Sequence, residues 1–87
     1  SLGFFYDRIG MEAEANRCYH QYVDNVIVPK TDVNFYFNHL MIGADKEEMI
    51  KLFKENIDST SNYEWYKMHY EIIETMNRKE FIERLCN

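Results

Sequence analysis

Along most of this chain, apolar residues recur at intervals of three and four. That spacing gathers them on one face of a helix. The opening stretch from Leu2 to Tyr22 sets the pattern, with Leu2, Gly3, Tyr6, Gly10, Ala15, Tyr19 and Tyr22 alternating between small and large. It predicts two antiparallel helices. The first covers Gly3 to Ile9 and stops at Gly10, because a glycine just past a helix end takes the left-handed conformation at low cost. The second runs from Glu12 to about Val26 and buries Ala15, Tyr19, Tyr22, Val23 and Val26. Gly3 and Ala15 would let the two backbones approach, with Leu2, Tyr6 and Tyr19 filling the space around them. Glu12 and Glu14 suit the positive end of the second helix dipole.

The pattern then falters at Val26-Ile27-Val28, three β-branched residues followed by Pro29. Proline pushes the preceding residue out of the helical region, so the helix is expected to end there in a loop. A third helix is predicted over Val33 to Ile42, capped by Thr31 or Asp32 and closed by Gly43. Val33, Tyr36, Phe37, Leu40 and Met41 would form its apolar stripe. Val33, Phe35 and Phe37 also alternate with polar residues, so a β-hairpin from Val26 to Met41 is the rival reading. Phe37 on a helix or a strand separates the two.

Asp45-Lys46-Glu47-Glu48 has capping-box spacing and opens a fourth helix carrying Met49, Ile50, Leu52, Phe53 and Ile57. After a polar link from Asp58 to Asn62, Ser61 and Glu64 read as a second capping box. They would start a fifth helix from Asn62 to about Met76, with Trp65, Met68, His69, Ile72, Ile73 and Met76 inward. Asn77 and Glu80 cap a last helix with Phe81, Ile82 and Leu85. The fold class expected is all-α.

The elements also repeat. Leu40, Met49 and Phe53 stand 34 residues after Tyr6, Ala15 and Tyr19, and Ile73, Ile82 and Cys86 follow 33 residues later. In this the chain resembles the tetratricopeptide repeat family, whose period is 34. Leu2-Gly3, Tyr6, Gly10, Ala15 and Tyr19 match that family's Leu-Gly, Tyr, turn Gly, Ala and aromatic positions. The second copy has Tyr36-Phe37 and Met49 in the Leu-Gly and Ala slots, and the third has His69-Tyr70 and Ile82. The resemblance implies antiparallel helical hairpins stacked as a short α-solenoid over residues 1–87, a single helical-repeat domain of about two and a half degenerate repeats. A small helical bundle with accidental spacing is the alternative. Both ends fall part-way through an expected helix, so the chain reads as a fragment of a longer protein.

Composition narrows the function classes. A formal net charge of -5 argues against nucleic acid as the main partner, since phosphate contacts need clustered Lys and Arg. One Pro and three Gly do not suit an all-β domain with many tight turns. Cys18 and Cys86 lack the spacing of a zinc site and read as buried thiols in a reducing, cytoplasmic setting. No stretch is apolar for long enough to span a membrane, and no signal peptide is visible.

No catalytic constellation, metal set or phosphate loop stands out, so neither an enzyme nor a cofactor is expected. His69 would pack in the core with a satisfied ring nitrogen. His20 and His39 would touch solvent or a polar neighbour. The resemblance implies a concave groove lined by the first helix of each hairpin. Its middle part would show Thr31, Asn34, Asn38, Met41 and Ile42. Glu64, Lys67, Glu71, Glu74 and Thr75 would extend it on one side, and Phe4, Asp7 and Arg8 on the other. Asn34 and Asn38 are one turn apart and could clamp a peptide backbone through their amides. Glu64 and Glu71 favour a basic protein or peptide. The Lys and Arg set that would hold an acidic chaperone tail is absent. The expected function is therefore a non-enzymatic protein- or peptide-binding module. One candidate parent, by analogy of fold, is a peptide-sensing regulator. Homo-oligomers could form through exposed end faces. The alternative is a freestanding, acidic, helical inhibitor or immunity-type protein that binds a basic site and forms a closed bundle.

Overall fold

The computed structural model describes residues 2–86, with side chains to residue 84. Among these, every regular element is an α-helix: α1 (Leu2–Arg8), α2 (Glu12–Asn25), α3 (Val33–Met41), α4 (Lys46–Asn56), α5 (Tyr63–Glu74) and α6 (Arg78–Cys86). None of the described helices is long and apolar enough to cross a membrane. Phe37 lies within α3, so the Val26 to Met41 hairpin does not form. The linking segment instead leaves α2 in extended conformation, with Val26 at φ -112 and ψ 123 and its N–H still donated to the Tyr22 carbonyl.

Local chemistry explains where the helices start and stop. Gly10 and Gly43 take positive φ values of 80 and 91, which release the chain after α1 and α3. Asp32, Asp45 and Asn77 accept backbone N–H groups from Asn34, Glu48 and Glu80 at 2.9, 3.2 and 3.1 Å. The start of α5 differs from the sequence expectation. Asn62, not Ser61, accepts the Trp65 N–H at 3.1 Å. Its amide oxygen reaches the third helical residue, so Glu64 falls one place short of completing a capping box. The ends of α3 and α5 come one and two residues earlier than the apolar pattern suggests.

One apolar cluster holds the helices together: Ala15, Tyr19, Tyr36, Phe37, Met41, Met49, Phe53, Ile57, Ile73, Phe81 and Ile82. Gly3 makes the close approach of α1 to α2 possible. A Cβ built on it would stand 2.5 Å from Cε1 of Tyr19. Phe53 of α4 meets Tyr36 edge-on at 5.4 Å and lies against Tyr66 at 5.1 Å, so aromatics bind α3, α4 and α5 together. Lys46 adds a tie from α4 to the link between α5 and α6 by donating to the Met76 carbonyl at 3.2 Å. The three positions at matching places in the sequence repeat, Ala15, Met49 and Ile82, are all buried on the second helix of their pairs.

The last helix sets the architecture. α6 packs against α1, where Phe81 meets Phe4 edge-on at 5.7 Å, and Phe81 also reaches Phe37 of α3 at 5.1 Å. The α1–α6 contact joins the first helix to the last, in an all-helical packing that suits a small helical bundle or a stack of hairpins, with extents of 38 × 29 × 20 Å. Cys18 is half-buried and free, less enclosed than expected. Leu85 and Cys86, expected in the last helix, have side chains outside those described.

Candidate functional site

The residues expected to line a groove lie on or beside three helices, α1, α3 and α5. On α3, Asn34 is exposed, and its side-chain amide donates to Asp32 Oδ1 at 3.1 Å. Asn38 is only 4% exposed, and its amide donates to the Asn34 carbonyl one turn earlier at 2.8 Å. The two amides are thus engaged within the α3 segment. Met41 is buried in the core. On α5, Glu64, Lys67 and Glu71 are all exposed. Asn38 borders two open clefts of about 500 and 360 Å³, both walled by the end of α2. Lys67 borders another of about 230 Å³, with Lys54, Tyr63, Tyr66 and Tyr70.

The α5 face has its own geometry. Met68 is 50% exposed although the apolar pattern placed it inward. The reason is that Trp65 and His69 take the inner positions. His69 stacks on Phe37 at 6.1 Å, and its Nδ1 faces the Trp65 carbonyl at 2.8 Å. Met68 therefore sits on the surface between Glu64, one turn before it, and Glu71, one turn after it. Neither carboxylate has an ion-pair partner among the described residues. His39 is half-buried and borders the cleft beside the end of α2; its ring lies 4.1 Å from that of Phe35 and donates from Nδ1 to the Phe35 carbonyl, and His20 is exposed.

Sequence reasoning missed the polar cluster that joins α1 to α6. Arg78 donates to both oxygens of Asp7, at 2.9 and 3.1 Å from Nη2 and 3.2 Å from Nε, and lies 3.9 Å from Glu12. The Tyr19 hydroxyl donates to Oδ2 of the same carboxylate, an oxygen that Arg78 also reaches. The guanidinium sits 5.5 Å from the centre of the Tyr19 ring. Burial, and then the hydrogen bond to Asp7, push the Tyr19 phenol well above its ordinary range. A cleft of about 690 Å³ opens beside this cluster, lined by Asp7, Arg8, Glu12, Arg78, Lys79, Ile82 and Glu83. Arg78 and Asp7 are 71 residues apart, and no local pattern marks such a pair.

Among the described residues, no group of three or more His, Cys, Asp or Glu could hold a metal ion. No family model, curated protein or solved structure matches this chain.

Proposed function

We propose that this chain is a non-enzymatic protein-binding helical domain whose outer α5 face takes a basic segment of a partner. One observation carries the reading: a half-exposed Met68 set between two carboxylates, Glu64 and Glu71, that have no ion-pair partner among the described residues. Methionine adapts to irregular apolar surfaces. A Lys or Arg stem can lie across it while the charged head reaches either carboxylate. The same proposal includes the tetratricopeptide-like ancestry, a cytoplasmic setting and a place within a peptide-sensing regulator.

A second reading, a freestanding acidic inhibitor or immunity-type protein, draws support from the contact between α1 and α6, which ties the first helix to the last. Both readings bind a basic surface. The test is titration of the chain with short Lys- and Arg-rich amphipathic peptides, followed by backbone amide shifts. Shifts should centre on Glu64 to Thr75, and Glu64→Lys with Glu71→Lys should weaken binding at least tenfold, with more salt weakening it further. Affinity that survives the double change overturns the reading.

A further inference from the structure

The seam between α4 and α5 holds a positive spot on an acidic molecule. A cleft of about 230 Å³ opens there, lined by Lys54, Tyr63, Tyr66, Lys67 and Tyr70, with no carboxylate among them. The chain as a whole has a formal net charge of -5. Lys54 and Lys67 are both exposed, and neither has an ion-pair partner among the described residues. Glu64 and Glu71 flank Lys67 along α5, but they belong to the outer face and neither is paired with it. The three phenol hydroxyls are also unengaged. None makes a hydrogen bond among the described residues, and no buried polar side-chain atom there lacks a partner, so all three open to solvent.

The cleft is built from the core outward. Phe53 is fully buried, and its ring lies 5.1 Å from that of Tyr66 and 6.2 Å from that of Tyr70. Those two tyrosine rings are nearly parallel, 6.3 Å apart at 15°. The Lys54 ammonium sits over the face of Tyr70, 5.3 Å from its centre. A cation–π contact holds that ammonium in place without cancelling its charge. Tyr63 is 60% exposed, which leaves its ring open as a stacking face. Walls held by the core lose little freedom when a ligand enters.

These groups identify the ligand by its charge and size. Two unpaired ammoniums and three phenol donors around one small space suit an anion. A phosphate monoester brings about -1.5 to -2 charges at pH 7, enough to balance both lysines, and three acceptor oxygens for Lys and Tyr together. Two cations do not make the long basic track that a nucleic-acid strand follows, so a single phosphate group fits better. The cleft is smaller than the roughly 300–1,000 Å³ of a site for a drug-sized ligand, which leaves room for the phosphate and one ring. We propose that the α4–α5 cleft binds a phosphate monoester carried on a planar ring, with Lys54 and Lys67 on the phosphate and Tyr63 against the ring. That chemistry is shared by a nucleoside monophosphate and a phosphotyrosine side chain. Glu64, Met68 and Glu71 take no part, so this site stands or falls independently of the proposed binding of basic segments.

The experiment is titration of the whole chain, followed by backbone amide shifts, with adenosine monophosphate, phosphotyrosine amide, inorganic phosphate and adenosine. A phosphorylated ring compound should shift the amides of Lys54 and of Tyr63 to Tyr70. Inorganic phosphate should bind about tenfold more weakly, because it cannot stack, and adenosine should not bind. Lys54→Ala and Lys67→Ala should each weaken binding about tenfold while helical circular dichroism stays unchanged, because both side chains are exposed. Tyr63→Ala should bring the ring compounds down to the level of inorganic phosphate and leave inorganic phosphate itself unaffected. The tighter of the two ring phosphates names the source, a free nucleotide or a phosphorylated partner. Absence of shifts with both ring phosphates overturns the proposal. So do shifts centred on Arg8, Arg78 and Lys79, inorganic phosphate or adenosine that binds as well as the ring phosphates, or lysine variants that bind as the wild type does.

Discussion

Tyr19 is held on every side. Its ring packs on Gly3 and lies 5.8 Å from Phe4, its hydroxyl donates to Asp7, and Arg78 covers one face. Gly3→Ala would drive a methyl group into a ring with no room to turn. The expected cost is about 1–3 kcal/mol in urea unfolding, the range for overpacking a fixed core. A variant as stable as wild type would mean that the ring moves aside. Tyr19 also couples stability to pH. Its phenol is raised by burial first, and Tyr36 is raised by burial and then by Glu55. A group whose folded pKa exceeds its unfolded value stabilises fully below the unfolded value, near 10 for tyrosine, and loses that contribution as pH climbs through and beyond it. Stability should therefore fall on the alkaline side of about pH 10. Tyrosinate absorbance should rise in two stages, exposed phenols first and the buried pair only with unfolding. A single smooth rise covering all tyrosines would contradict this.

At the scale of elements, the start of α5 offers a direct comparison between two neighbours. Asn62 supplies the cap, whereas the Ser61 hydroxyl bonds no amide of α5. Asn62→Ala should cost about 1 kcal/mol, and Ser61→Ala only a few tenths. The reverse order in thermal melts would return the cap to Ser61. The helices themselves were legible because apolar spacing, Gly10, Gly43 and the caps at Asp45 and Asn77 are local signals, each spanning a few residues. The Val33–Phe37 alternation misled only as a rival, since Tyr36 and Phe37 both turn inward on a helix wedged between neighbours. Polarity was a poorer guide to the site. Asn38 reads as a surface residue, but its amide bonds back along α3 and its side chain is buried, while Met68 reads as core and faces solvent. Neighbours from other helices decide both cases, and no periodicity within one helix records them.

The whole molecule is closed by a contact between its first and last helices, and this sets how it should come apart. Asp7 is 9% exposed in its side chain and Arg78 28%, so their bidentate pair is partly shielded from water. Removing Arg78 would leave the Asp7 carboxylate enclosed with the Tyr19 hydroxyl as its remaining side-chain partner among the described residues. Breaking a fully buried pair costs 3–5 kcal/mol, and the exposure of Arg78 discounts that to about 2–3 kcal/mol for Arg78→Ala. Arg78→Lys should recover little of it, because an ammonium cannot make the forked contact to both carboxylate oxygens. The loss should also be uneven. The α3–α4–α5 aromatic contacts do not involve Arg78, so amide exchange should quicken first in α1 and α6 and last around Phe53 and Ile73. In an open stack of hairpins, the same substitution would be a surface change worth about 0.5 kcal/mol or less, with no preference for the two ends. The size of the loss and its location along the chain thus distinguish a bundle latched at α1–α6 from a row of independent hairpins.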